Sequence, residues 1–261
     1  MPAPDFLHLG LAFLAAFLAG AINSVAGGGT MISFPILVAL GLPPIIANAT
    51  NTVGIWPGSV GSIWGFRREL ARVPRPMRWL VLPALAGGAA GAMLLRVTPP
   101  GIFERLVPWL ILFATLLFIL RQPIQQRLRS TEGAAQDGPG WMTFAIFCQI
   151  AVAVYGGYFG AGMSIMMLSI LGVIGMTDIL EMSAMTSLLA LIINGVAGLL
   201  FAQAGLVAWP YALAMALGAV VGGYGAAGFA RRINKKYIQQ FVIFIGLAIT
   251  VAMFVRIFLR H

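Results

Sequence analysis

The polar side chains of this sequence that could meet a ligand are small and neutral, and they gather beside glycines. In the first half they are Asn23, Ser24, Thr30, Asn48, Thr50, Asn51 and Thr52. In the second half they are Tyr155, Tyr158, Ser164, Ser183, Thr186, Ser187 and Asn194. Two glycine clusters sit among them, "AGGGT" (26–30) and "GAGMS" (160–164). The acids, Asp5, Glu69, Glu104, Glu132, Asp137, Asp178 and Glu181, fall in loops or at the ends of apolar runs. No base accompanies a nucleophile, and no His, Cys and carboxylate cluster exists, so the pattern points away from an enzyme, a metal centre or a cofactor. Hydroxyls, amides and free backbone N–H groups suit another task, a neutral cage of donors around an oxyanion.

Three consecutive glycines end a helix more readily than they continue one. A short helix restarting after them leaves the N–H groups of its first turn unpaired, with the partial positive charge of aligned peptides behind them. Glycine also lets an oxyanion come close to the backbone. The expected anion site therefore takes Asn23, Gly27, Gly28, Gly29 and Thr30 from the first half, and Gly160, Gly162 and Ser164 from the second. Asn48, Asn51, Thr52, Thr186 and Ser187 would supply further hydrogen bonds. In a low dielectric these dipoles act more strongly than in water, so no lysine is needed. Each hydroxyl has a competing role, bonding back to its own helix.

Other features read as structural. "GGAAG" (87–91), "GGYG" (222–225), Gly195 and Gly198 are positions for close helix packing. Asp178 and Glu181 read as charges at a helix N-terminus. Pro35, Pro57 and Pro83 read as helix kinks or starts, and the methionines of "MSIMML" (163–168) as packing.

The elements that must position these residues are transmembrane helices. The chain has 261 residues, 60% hydrophobic and only 9% charged, against roughly 25% charged in soluble domains. Apolar runs of about 20 residues, enough to cross a ~30 Å hydrocarbon core, recur from end to end. The expected fold class is an all-α polytopic membrane protein. Five elements are expected at 6–25, 30–41, 45–66, 77–96 and 103–121, then a polar link at 121–140. Five more follow at 141–159, 163–175, 179–203, 207–230 and 236–258. The elements at 30–41 and 163–175 reach only roughly 20 Å, half-helices that either span or re-enter. The first element lacks a basic residue before its apolar run and carries Asp5, so it reads as a retained helix and not a signal peptide.

The second half repeats the first. At an offset of 135, "GGAAGAMLLRVTPPGIFERL" (87–106) lies over "GGYGAAGFARRINKKYIQQF" (222–241), and Asn51 and Thr52 lie over Thr186 and Ser187. Near the glycines an offset of 133 sets "GGGT" (27–30) over "GAGM" (160–163). Each half has five elements, an odd number, so the halves are expected in opposite orientations. The division is an N-terminal repeat at 1–121, a cytoplasmic linker at 122–140 and a C-terminal inverted repeat at 141–261.

In a soluble protein a net charge of +9 would bring nucleic acid to mind. Here the charges sit in loops and report orientation, and no nucleic-acid partner is expected. With the N-terminus outside, the inner loops hold Arg67, Arg68, Arg72, Arg75, Arg78, Arg121, Arg127, Arg129, Arg231, Arg232, Lys235 and Lys236. Only Arg96, Arg105, Arg256 and Arg260 are left outside, so both termini are expected to be periplasmic. Cys148, the only cysteine, excludes a disulfide within the chain and reads as a small packing residue.

The stretch "GAINSVAGGGTMISFPILVALGLPPIIANATNTV" (20–53) resembles the sulfite exporter family of the TauE/SafE type. The degenerate copy "GGYFGAGMSIMMLSILGV" (156–173) with "MTSL" (185–188) fits the same pattern, so the resemblance covers nearly the whole chain. It implies a secondary transporter of sulfite, sulfonates or related organosulfur anions in the bacterial inner membrane. Alternating access would come from one inverted repeat rocking against the other, and a coupling ion, H⁺ or Na⁺, is left open. Two rivals keep the membrane fold: a passive anion channel, and a scaffold subunit that transports nothing.

Overall fold

The computed structural model describes residues 5–25, 28–130, 141–229 and 235–258. Gly27, the link residues 131–140, and Arg231 and Arg232 lie outside them. The described chain is helical: α1 (Phe6–Val25), α2 (Thr30–Ala39), α3 (Pro44–Gly65), α4 (Arg67–Arg72), α5 (Arg75–Arg78), α6 (Val81–Val97) and α7 (Pro100–Ser130) precede the link. After it come α8 (Trp141–Tyr158), α9 (Met163–Val173), α10 (Ile179–Gln203), α11 (Trp209–Phe229) and α12 (Lys235–Phe258). Four stretches, Phe6–Asn23, Arg75–Val97, Pro100–Leu120 and Ile179–Gln203, are long and apolar enough to cross a membrane. The protein is an all-α polytopic membrane protein.

Two expected boundaries move. The basic stretch after α3 is not an open loop but holds the two short helices α4 and α5. Helix α7 does not stop at residue 121 and continues to Ser130. A run without glycine or proline past Pro123, rich in Gln, Arg and Leu, has the propensity to carry a helix out of the apolar zone.

Helices α3 and α10 lie against one another at the centre. Around them α1 packs along α11, and α8 packs along α6; α3 also meets α11, and α10 meets α6. At the periphery α7 lies beside α12, α9 touches α7, and α2 touches α12. Exchanging α1, α2, α3, α6 and α7 for α8, α9, α10, α11 and α12 turns each of these contacts into another of the set.

Glycines make the tightest seams possible. A side chain on Gly218 or Gly222 of α11 would strike the Phe13 or Phe17 carbonyl oxygen in α1. One on Gly91 of α6 would strike the Val154 carbonyl in α8, and one on Gly157 of α8 would strike the Gly88 carbonyl. Gly195 lies under the Trp56 indole and Gly198 against Val53. In a bilayer there is little hydrophobic drive between helices, so such close approach and its dispersion energy hold the bundle together.

Two apolar cores result. The larger holds the start of α3 (Ile45, Ala47, Ala49), the end of α10 (Ala197, Phe201) and most of α2. The smaller holds the start of α10 (Met182, Met185, Leu189) with α9 (Met163, Met167, Leu171) and Met77 and Leu80. The methionines of 163–168 that are buried pack in this second core. Cys148 is half-buried and free.

Candidate functional site

Both half-helices follow a break in the chain, and each break is pinned by a side chain six residues before the atom it meets. At the first, the Gly29 N–H donates to Asn23 Oδ1 at 2.8 Å. At the second, the Tyr155 hydroxyl donates to the Ala161 carbonyl at 2.6 Å. The chain turns at Gly28 with φ of 95° and at Gly162 with φ of 78°, a region that costs other residues strain and costs glycine none. Space is also short at Gly28, where a Cβ would press on the Phe118 ring at 2.6 Å.

Pinning has an electrostatic consequence. Asn23 has committed its oxygen to Gly29, so its amide N–H₂ is left as a pure donor. The Gly29 N–H is itself occupied, and Gly29 lies against the Ala19 backbone. Helix α2 starts with Met31 and Ile32 N–H groups bonded to the Gly28 and Gly29 carbonyls at 3.0 Å each. Helix α9 starts with the Met163 and Ile165 N–H groups bonded to the Gly160 and Gly162 carbonyls. Among the described residues the backbone N–H groups of Thr30, Gly162 and Ser164 have no backbone acceptor. The carbonyls three and four residues before Thr30 lie outside the described residues, so the donors established at the two helix starts are the N–H groups of Gly162 and Ser164.

They open on a cavity of about 200 Å³. Asn23, Gly28 and Thr30 line it from the first break, and Gly160, Gly162, Met163 and Ser164 from the second. Helix α10 gives Ser183, Thr186, Ser187, Ala190 and Asn194; helix α3 gives Ile55, Ser59, Ser62 and, just past its end, Phe66. The cavity therefore runs from the two breaks to the last turn of α3.

The hydroxyls around it differ in what they can still do. Ser183 donates to the Ile179 carbonyl at 2.7 Å, and Ser187 to the Ser183 carbonyl at 2.8 Å. Their protons are spent within α10. Thr186 is 5% exposed, and its Oγ1 has no hydrogen-bond partner. A buried hydroxyl without a partner costs roughly 1–3 kcal/mol. Thr186 lines the cavity, and its hydroxyl, buried in that wall, is a donor without an acceptor.

Asn48, Asn51 and Thr52, grouped with the site by sequence, are elsewhere. Asn48 Nδ2 donates to the Tyr158 carbonyl at 2.9 Å, and the Ser33 hydroxyl donates to Asn51 Oδ1 at 2.5 Å. Thr52 donates back to the Asn48 carbonyl at 2.9 Å. All three are buried off the cavity wall, in the part of α3 enclosed on every side. The neighbouring Thr50 accepts from the Ala208 N–H at 2.9 Å and ties α3 to the start of α11. Asp178 caps α10, accepting from the Leu180 and Glu181 N–H groups at 2.7 and 3.3 Å, a structural role that matches its reading as a helix-terminal charge.

Ser59 and Ser62 were missed in the sequence. They continue a stripe with Asn48, Asn51, Ile55 and Phe66 at spacings of three or four, one face of α3. Following that stripe past Thr52 would have found them. Among the described residues no group of three or more His, Cys, Asp or Glu is placed to hold a metal.

The chain is similar along its length to a probable membrane transporter protein of Haemophilus influenzae, 25% identical over 249 residues and 94% of each chain. It is 27% identical over 266 residues to the probable membrane transporter protein ORF9 of Sinorhizobium sp, covering 98% of both. It is 26% identical to the probable membrane transporter protein YfcA of Escherichia coli K12, covering 92% of this chain and 87% of that one. No solved structure matches it significantly. The profile of the family described as sulfite exporter TauE/SafE matches residues 12–253, and with that match across nearly its whole length the chain belongs to the sulfite exporter TauE/SafE family.

Proposed function

We propose that the protein is a secondary transporter of a small organosulfur oxyanion, sulfite or a sulfonate, across the bacterial inner membrane. The cavity between the two breaks is its binding site. Thr186 Oγ1, the Asn23 amide, the Ser164 hydroxyl and the N–H groups of Gly162 and Ser164 are its donors. The observation that carries this reading is the unpartnered Thr186 hydroxyl in the cavity wall. Among the described residues no acid lines the cavity, so an anion meets no like charge from them there. Neutral donors also bind weakly enough to release a ligand, which a carrier must do on every cycle.

Alternating access follows from two inverted repeats that rock about the α3–α10 contact. The basic stretches face the cytoplasm under the positive-inside rule, both termini face the periplasm, and the cavity mouth beside Phe66 is cytoplasmic.

Thr186→Val tests the site, because valine keeps the shape and removes the donor. The protein should melt at an unchanged or higher temperature in detergent, since a buried unsatisfied group has been removed. Sulfite and sulfonate flux into proteoliposomes should fall. Flux equal to that of the unaltered protein rejects this site. Counterflow of labelled sulfite against an unlabelled gradient separates the carrier from a channel, which shows none.

A further inference from the structure

The arginines after α3 carry a role beyond orientation. Phe66 lines the cavity, and Arg67 is the next residue. Helix α4 packs on α10 as well as on α3, the two helices that wall the cavity, so it crosses the rim of the mouth. Arg67, Arg68 and Arg72 of α4, with Arg75 and Arg78 of α5, are all exposed there. The backbone holds two of them in place. Arg67 donates to the Trp64 carbonyl at 2.8 Å and lies 5.2 Å from the centre of the Trp64 ring. Arg78 donates to the Ala71 carbonyl at 3.0 Å, which ties α5 to α4.

Five guanidinium groups stay charged at any physiological pH. Glu69 is the one acid between residues 67 and 78, and its Oε2 is turned into the interior without a partner. Among the described residues it forms no ion pair that would neutralise the rim. The cavity beyond is lined by neutral groups, so the rim sets the sign of the potential along the path. Low-dielectric walls focus such a field, and charge lining a cleft can raise on-rates by about 10- to 1,000-fold. Arg67 follows directly on Phe66 of the cavity wall, and the field of an exposed charge acts over the ~8 Å Debye length of physiological salt.

We infer that Arg67, Arg68 and Arg72 form an anion-collecting vestibule, which concentrates small anions at the mouth of the cavity and turns cations away. This rests on reading the cavity as an anion path, and it adds a selectivity step outside the binding site. The same guanidiniums could serve anionic lipid headgroups, so the test separates the two sources.

The test needs no transport. In a Cys148→Ser background, Ser62→Cys places one thiol in the cavity wall near the mouth. Its rate of modification is measured with two thiol reagents of similar size, a sulfonate-bearing methanethiosulfonate and a trimethylammonium-bearing one. The protein is reconstituted in pure phosphatidylcholine, with the reagent added to the side on which the rim lies. The anionic reagent should react faster, and raising the ionic strength should shrink the ratio. Arg67→Gln with Arg68→Gln should lower the ratio roughly tenfold, while Arg67→Lys with Arg68→Lys should keep it. Arg72, Arg75 and Arg78 remain in the Gln pair to hold the orientation, which protease accessibility checks. An unchanged ratio in the Gln pair overturns the vestibule. So does a ratio that responds to the arginines only when anionic lipid is present. Failure of the binding site would appear instead as wild-type flux in Thr186→Val.

Discussion

The two ends of the α3–α10 pair are built from matching residues and do opposite things. Toward the end of α3 and the start of α10, Ser59, Ser62, Thr186 and Asn194 border a cavity. At the other end, Asn48 and Asn51 are 1% exposed, and Ala197 and Phe201 on α10 are sealed among them. Asn51 and Thr186 lie over one another when the sequence is set on itself at an offset of 135. Asn51 has a partner in Ser33; Thr186 has none. One sequence pattern thus supplies a closed latch in one half and an open cage in the other. The closed end keeps one unpartnered oxygen of its own, Asn48 Oδ1, so the difference between the ends is that Thr186 lines a cavity and Asn48 does not.

The comparison first requires that the bundle itself stays fixed, so the largest effect belongs to its seams. Gly222→Leu drives a side chain into the Phe17 carbonyl, backbone against backbone, and overpacking here should cost more than about 3 kcal/mol. Gly91→Leu should do the same against Val154 in the other half. Both should give little monodisperse protein on gel filtration; a well-folded Gly222→Leu protein would show that the seam yields.

Next comes Thr186→Val, whose effect should fall on flux and not on stability. A hydrogen bond to a charged group is worth about 1.5–3 kcal/mol, so transport should drop roughly tenfold to a hundredfold. Its partner in the comparison is Asn51→Val. That change removes the Ser33–Asn51 bond in a closed region and leaves the Ser33 hydroxyl its longer bond to the Gly29 carbonyl at 3.2 Å, so it should destabilise by about 0.5–1.5 kcal/mol, read as a lower thermal midpoint. If Asn51→Val leaves stability untouched while Thr186→Val unfolds the protein, the contrast between latch and cage is reversed.

The smallest effect sharpens the cage. Ser187→Ala removes a hydroxyl that lines the cavity but already donates to Ser183. Its flux should stay within about threefold of the unaltered protein, because helix-internal Ser bonds are nearly neutral in energy. A loss as large as that of Thr186→Val would mean that Ser187 turns its proton toward the anion.

Much of this was legible from residue types. Hydropathy fixed the helical elements, and Ile179–Gln203 was read to the residue. The glycine clusters marked both breaks, and of the expected site residues, Asn23, Gly28, Thr30, Gly160, Gly162, Ser164, Thr186 and Ser187 line the cavity, while Gly29 packs against Ala19 instead. The stretch from Asn48 to Thr52 looked like part of the cage because its polar residues share a face with it. Their partners, the Tyr158 carbonyl and the Ser33 hydroxyl, sit 110 and 18 residues away, and no local pattern announces a contact at such separation. Gly29 illustrates the same limit: its N–H looked free in sequence, until Asn23 folded back on it.

By itself the sequence determined the membrane class, the short helices and a stock of neutral donors, because these depend on composition and short spacings. Only the tertiary structure decided which donors remain unspent. A hydrogen-bonding group has the same chemistry wherever it occurs, and whether it is a latch or a ligand depends on what packing brings within about 3 Å of it.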